Sequence, residues 1–181
     1  MTIPTLINKT NKQEYVSRLK KAYSTLSQAT NRIIAEQGNP RADIGGWATS
    51  GEAVFNMYKK YLSNAKVCGI DTTGCFTGRY KRMNGTSGDY DANRYTLVMA
   101  DGSEIAIANS DVHTNCSSNI CAAIAVDVNG AKAPNFIGYD AFLFQITENG
   151  LIPAGCNGDT CLTSNGWSCT CKVLREGAIN Y

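Results

Sequence analysis

The sequence predicts an α+β fold in which a long N-terminal helix packs on a four-stranded antiparallel meander sheet. Three observations predict it: a helical stripe of apolar residues in the first 37 positions, short β-rich runs between positions 94 and 154, and cysteines confined to the later part of the chain. The chain has 181 residues, of which 43% are hydrophobic and 18% are charged. This composition fits one domain, residues 1–181, that buries its own core.

The first predicted helix covers residues 5–37. Apolar or small residues recur every three or four positions and form one helical stripe: Val16, Leu19, Ala22, Tyr23, Leu26, Ala29, Thr30 and Ile33. Before this stripe, Leu6 and Ile7 are followed by the polar run NKTNKQE, so the front of the helix is expected to project as a stalk. At about 1.5 Å per residue the helix would be roughly 50 Å long. A loop rich in Gly and Pro ends it near Gln37.

A second helix is predicted over residues 50–65. Thr49 and Glu52 have the spacing of a capping box, and an apolar side follows: Val54, Phe55, Tyr58 and Leu62. After it, Cys68 to Cys75 is expected to close a tight loop, and residues 81–93 are expected to form a turn-rich connection.

The antiparallel sheet is predicted over residues 94–154. Brief runs rich in β-branched and aromatic residues alternate with turn signals: RYTLVMA, EIAIAN, AAIAVDV, AFLFQIT and the short LIPAG. Asp101-Gly102 and Asn149-Gly150 favour two-residue hairpin turns, and therefore a sequential meander. The apolar stripe of the first helix is expected to cover one face of this sheet.

The eight cysteines predict disulfide bonds formed in an oxidising compartment, with residues 155–181 forming a cysteine-rich C-terminal region. A zinc site is the alternative, but the separations of seven, five, five and two residues lack the repeated short gaps of a zinc ribbon. Pairing of sequence neighbours joins Cys68 to Cys75 and Cys116 to Cys121. For the last four, a nested arrangement pairs Cys156 with Cys171 and Cys161 with Cys169, and the other connectivities stay open.

Charge and residue types argue against two functional classes. The net charge of +2 lacks the basic field that drives binding to phosphate backbones, so no nucleic-acid partner is expected. His113 is the only histidine, and no GxSxG elbow is present. The sequence therefore predicts a protein that is not an enzyme, with no catalytic residues and no bound organic cofactor.

One loop carries the hard oxygen ligands that calcium prefers. The segment DVNGAKAPNFIGYD contains Asp127, Asn129 and Asp140. Its glycine-containing loop also leaves backbone carbonyls available as further ligands. Asp127 and Asn129 also fit an ordinary turn with Gly130 at positive φ, and Lys132 would repel a cation. Both interpretations stay open, and calcium is the one metal that the sequence suggests.

The order of parts resembles the type IV pilins and the pseudopilins of type II secretion. The N-terminal stretch IPTLINKTNKQEYVSRLKKAYSTLSQA is similar to the segment that follows the membrane-spanning part in that family. The segments VDVNGAKAPNFIGYDAFLFQI, GLIPAGC and CKVLREGAINY are also similar to bacterial prepilin-like sequences. The resemblance implies that about 20 apolar residues, preceded by a leader that a prepilin peptidase removes, belong before Ile3 and are missing here.

The resemblance further implies a structural subunit of a pilus or pseudopilus that polymerises through the missing apolar helix. Its partners would be other pilin or pseudopilin subunits, and it would be held in the inner membrane before assembly into a periplasmic or extracellular filament. The isolated domain is expected to be monomeric. The alternative is a ligand-binding minor pilin or adhesin head, for surface or DNA capture.

The first helix is also basic, through Lys9, Lys12, Arg18, Lys20 and Lys21. These side chains are expected to form a solvated face. In a filament subunit they would also meet lipid head groups or an acidic patch of the next subunit.

Overall fold

The computed structural model describes residues 3–62, 66–70, 75–76, 79–89, 93–158, 160–163 and 165–181. The helices of these residues are α1 Ile3–Gln37, α2 Gly51–Tyr61 and α3 Cys169–Glu176. The strands are β1 Lys66–Ile70, β2 Arg79–Lys81, β3 Ser87–Asp89, β4 Arg94–Val98, β5 Glu104–Ala108, β6 Ala122–Asp127, β7 Ala141–Thr147 and β8 Gly150–Pro153. The predicted α+β class, a helix packed on an antiparallel sheet, is confirmed.

The main sheet has six strands in the order β1-β4-β5-β6-β7-β8, and every neighbouring pair is antiparallel. The expected count of four strands is wrong, because β1 extends one edge and β8 extends the other. β1 runs into the start of the segment from Cys68 to Cys75, where a tight loop was expected. Its register shifts between Val67 and Gly69, so it has the irregular geometry of a β-bulge. β2 and β3 form a separate two-stranded hairpin, and β3 lies in the segment expected to be a connection without strands.

α1 packs across β7 and β8 and also contacts α2 and α3. Its predicted stripe is buried except for Tyr23, which is partly buried and stacks on Phe144 with ring centroids 5.4 Å apart. Thr30 is tolerated in the stripe because its hydroxyl donates to the Leu26 carbonyl at 2.7 Å and hydrogen bonds to the buried Tyr58 hydroxyl.

α2 packs on β4 and β5. Its N-cap is Ser50, whose hydroxyl accepts the Ala53 amide at 3.1 Å, so the predicted cap at Thr49 is wrong by one residue. α2 ends at Tyr61, and the predicted end near Ala65 lies outside the described residues.

Both faces of the central strands are buried, since every residue of β5 and β6 is buried. α1 and α2 cover one face. The other face carries a second cluster that includes Phe76, Tyr80 and Ile137, with Trp167 packed against it. The hairpin and the loop between β6 and β7 therefore form a third layer.

Disulfides hold the C-terminal region, and the prediction of disulfides is confirmed. The bonds join Cys68 to Cys75, Cys116 to Cys121, Cys156 to Cys171, and Cys161 to Cys169. The region is more than a disulfide-held loop, because the last two bonds attach the first turn of α3, which the sequence pattern did not predict. Among the described residues, no helix has the length and apolar character needed to cross a membrane.

Candidate functional site

The candidate site is the loop between β6 and β7, residues 128–140, together with the groups that pack on it. Asp127 ends β6, and Asp140 immediately precedes β7. The Val128 amide donates to the Asp140 carbonyl at 2.8 Å and closes the two ends of the loop. The chain thus brings together the segments that hold Asp127, Asn129 and Asp140, the three predicted oxygen ligands.

Asp127 is fully buried. Its carboxylate accepts the Tyr80 hydroxyl at 2.6 Å and the Asn129 amide at 3.1 Å. Burial, reinforced by the negative charge of Asp140, raises the pKa of Asp127 to about 8. The side chain is therefore mostly protonated at neutral pH.

Asp140 is also fully buried, and it organises the loop through backbone contacts. Its two oxygens accept the amides of Asn135 at 2.8 Å and Phe136 at 2.6 Å. Burial raises the pKa of Asp140 to about 6, although these amides favour the charged form.

Glu104 is a member of this cluster that the sequence reasoning missed. It pairs with Asp127 across β5 and β6, and its carboxylate accepts the Phe76 amide at 2.6 Å. Burial raises the pKa of Glu104 as well. One signal was available: Glu104 begins a strand whose other residues, IAIA, are all apolar.

The arrangement does not resemble a metal centre. Each carboxylate oxygen of Asp127 and Asp140 accepts a hydrogen bond from a protein donor. The side-chain amide nitrogen of Asn129, Nδ2, donates to the Tyr15 hydroxyl and the Ala133 carbonyl, both at 3.3 Å. Within the part of the chain that the structure describes, no three or more His, Cys, Asp or Glu residues form a group that could hold a metal ion. Of the two interpretations of this loop, these hydrogen bonds favour the ordinary turn, and the calcium site that the sequence suggests awaits a binding experiment.

The loop is also the point where α1 meets the C-terminal residues. The Lys12 ammonium donates to the carbonyls of Ile179 at 3.2 Å and Tyr181 at 3.0 Å, and it lies 5.0 Å from the centre of the Tyr139 ring. The Tyr139 hydroxyl donates to the Tyr181 carbonyl, and the Tyr181 hydroxyl donates to the Gly138 carbonyl at 2.6 Å. α1 is therefore docked from Lys12 onward, inside the polar run expected to project as a stalk.

The expectation of a solvated basic face on α1 is only partly right. Arg18 donates to the Val128 carbonyl at 3.2 Å and pairs with Glu14, and Lys21 pairs with Asp101 at 3.0 Å. Lys20 is exposed, while the Lys9 side chain lies outside the described part. The internal contacts of Lys12, Arg18 and Lys21 leave less of this face for an external partner.

An open cleft lies on the side of the loop that faces the β2–β3 hairpin. Its volume is about 560 Å³, and its lining includes Arg79, Lys81, Ser87, Gly88, Pro134 and Asn135. The Lys81 amide donates to the Asn135 carbonyl at 3.0 Å, and the Ile137 amide donates to the Lys81 carbonyl at 2.9 Å. Two backbone hydrogen bonds thus fix one wall of the cleft to the other.

Two residues outside the candidate loop, His113 and Trp47, are also placed by the structure. His113 is an exposed residue of the loop before β6, where its backbone amide donates to the Cys121 carbonyl at 2.8 Å. Trp47 is buried, and its indole nitrogen donates to the Gly38 carbonyl at 3.1 Å, so it is a packing residue and not a surface anchor.

The chain has the sequence of a protein family whose activity is not known. Residues 5–156 match the model of a family of unknown function, DUF6613, and the chain belongs to that family. The match includes α1 from its third residue, α2, the main sheet and the candidate loop, and it ends before α3. No curated protein and no solved structure matches the chain.

Proposed function

We propose that this protein is the head of a filament subunit of the type IV pilus or type II secretion pseudopilus class. The observation that carries the proposal is α1, a helix of 35 residues that packs on the sheet by a stripe beginning only at Val16. A filament subunit of this class needs one continuous helix that serves both the filament axis and the head. The N-terminal sequence that resembles prepilins lies on this helix.

The packing of α1 suits mechanical work. Its second half is fixed by buried side chains, while Lys12 and Arg18 attach its earlier turns to the chain end and to the β6–β7 loop. A pull along the helix would therefore be distributed over the sheet, the loop and α3. The disulfides are consistent with assembly outside the reducing cytoplasm.

Polymerisation in this proposal uses an apolar helical segment before Ile3. Such segments would leave the bilayer and pack against one another in the filament core, with this head displayed on the surface. The proposal covers pilins and secretion pseudopilins alike, because both use this architecture.

The test is shearing of surface filaments from cells that express the complete gene. Antibody against the head should label filaments in electron micrographs, and the sheared fraction should contain the protein. A deletion of the prepilin peptidase should abolish both signals. Detection of the protein only as a monomer in the periplasm or culture medium of filament-producing cells would contradict the proposal.

The cleft beside the hairpin favours a second candidate, a ligand-binding minor pilin or adhesin head. A preformed concavity of about 560 Å³ is in the size range of small-molecule sites. Antibody against a minor subunit of this kind would label filaments sparsely or only at their tips, whereas antibody against a major subunit would label their whole length.

A further inference from the structure

The cleft between the β2–β3 hairpin and the β6–β7 loop has two basic residues, Arg79 and Lys81, in its described lining. Arg79 and Lys81 lie two positions apart on β2, so they share one face of the strand. The Lys81 ammonium has no hydrogen-bond or ion-pair partner among the described residues. The described lining of the cleft contains no carboxylate.

A third cation reinforces this field. The Arg82 guanidinium lies against Gly88, where a Cβ atom would stand 2.4 Å from its Nη2. The Arg82 Nε is buried and has no hydrogen-bond partner among the described residues. An anion in the cleft would reduce the repulsion among these three cations.

The cleft also offers an unused acceptor. Asn135 lines it, and the Asn135 Oδ1 is buried without a donor in the described part of the protein. An unsatisfied buried acceptor is unfavourable, and a hydrogen bond from a ligand hydroxyl would remove that cost. Ser87, at the exposed edge, provides a further hydroxyl partner.

The aromatic content of the lining argues against a nucleobase. Tyr80 is the one aromatic residue of the described lining, and its side chain is only 2% exposed because it packs on Phe76 and Trp167. A base would find no exposed ring on which to stack. A ligand with hydroxyls and a negative charge matches the donors and acceptors that are present.

We propose that this cleft binds an acidic sugar, through Lys81 and Arg79 at the anionic group and Asn135 at a hydroxyl. The anionic group is a carboxylate or a phosphate, since a lysine ammonium binds either. This inference does not rest on filament assembly, because the cleft is formed entirely by the isolated chain.

The test is titration of the ¹⁵N-labelled protein with glucuronate, glucose 6-phosphate and glucose, followed by amide NMR shifts. Saturable shifts at residues 79–81, 87–88 and 135–137 are expected with glucuronate, glucose 6-phosphate or both, and not with glucose. A response to only one anion identifies the anionic group. Binding should weaken with added salt.

Two variants locate the interaction. Lys81→Gln removes the unpaired cation, and Ser87→Asp adds a negative charge at the exposed edge; each should weaken binding about tenfold or more. Lys60→Gln, on the exposed side of α2, is the matched control and should bind as the parent does. Spectra of the unliganded variants establish that each is folded. Absence of saturable shifts with both anions, equal binding of glucose, or unchanged affinity in Lys81→Gln and Ser87→Asp would overturn the proposal.

Discussion

Glu104 and Asp127 stand directly opposite one another on β5 and β6, and both carboxyl groups are buried. Two like charges at such a cross-strand position repel each other, and burial adds a desolvation cost to each. The pair is held by hydrogen bonds from Phe76 and Tyr80, while no basic side chain donates to either carboxylate in the described hydrogen bonds. The burial of Asp127, reinforced by the charge of Asp140 and to a smaller extent by that of Glu104, makes the stability of the fold dependent on pH.

We expect stability to fall as the pH rises from about 4 to 8. The pKa of Asp127 rises from 3.8 to about 8 on folding, so the native state keeps a proton that the unfolded chain releases. The stabilisation is complete below the unfolded pKa and is lost as the pH passes through the native pKa. One retained proton changes the free energy of unfolding by up to about 1.4 kcal/mol per pH unit. Urea unfolding at several pH values measures this slope.

The variant Asp127→Asn should flatten that slope, because its side chain does not titrate. Asp101→Asn is the control: Asp101 pairs with Lys21 and its pKa is lowered, so removing it should leave the slope between pH 5 and 8 unchanged. An unchanged slope in Asp127→Asn would show that another group carries the pH dependence.

Replacing Lys12 by Met should loosen the C-terminal residues. The ammonium hydrogen bonds to the carbonyls of Ile179 and Tyr181 would be lost, at about 1.5–3 kcal/mol for charged hydrogen bonds and less at this partly exposed site. Hydrogen exchange at residues 177–181 should become faster, whereas the exposed Lys59→Met should change nothing there. Equal protection in both variants would mean that Lys12 does not hold the chain end.

Leu26→Ala should destabilise the protein by about 2–5 kcal/mol, because Leu26 is fully buried between α1 and the sheet. Gln28→Ala, on the exposed side of the same helix, should change the free energy of unfolding by less than about 0.5 kcal/mol. Chemical unfolding measures both. If Leu26→Ala lowered the free energy of unfolding as little as Gln28→Ala does, the packing of α1 on the sheet would be contradicted.

The disulfide from Cys156 to Cys171 should contribute more than the one from Cys116 to Cys121. Their sequence separations are 15 and 5 residues. The chain-entropy treatment assigns about 3 kcal/mol to the longer loop and about 2 kcal/mol to the shorter one. Paired Cys→Ala variants, compared by urea unfolding, measure the difference. The reverse order would show that native-state contacts outweigh loop entropy here.

Calcium is expected to leave the stability unchanged, because protein donors already engage the carboxylate oxygens of Asp127 and Asp140. Binding at about 100 times the dissociation constant would add about 2.7 kcal/mol. Thermal unfolding with excess CaCl₂ and with EDTA distinguishes these outcomes. Stabilisation by calcium that disappears in Asp140→Asn would establish the calcium site that the sequence suggested.

Strongly periodic segments were predictable from sequence, and short ones were not. The stripe of α1 and the run that forms β7 carry enough repeats to define one period. The strands β2 and β3 have three residues each, and β2 is held by hydrogen bonds to Asn135 and Ile137 far along the chain. β1 contains Gly69 at positive φ, a residue type that favours turns. α3 has only eight residues, and disulfides fix its first turn.

The candidate site was predictable only in the part whose residues are close together in the sequence. Asp127, Asn129 and Asp140 lie within one short loop, so their proximity follows from the sequence. Tyr80 and Glu104 reach Asp127 from separate segments, through pairing that only the folded sheet defines. The cleft lined by Lys81 was not predictable either, because it forms only when the β2–β3 hairpin docks on the β6–β7 loop.

We propose that α1 continues a membrane-derived filament helix, and the N-terminus of the mature protein isolated from its native cells tests this proposal most directly. Mass spectrometry should find about 20 apolar residues immediately before Ile3, beginning at a site cut from a short leader. A mature chain that begins at Met1, or that follows a conventional secretory signal peptide without such a segment, would contradict the assignment to a filament subunit.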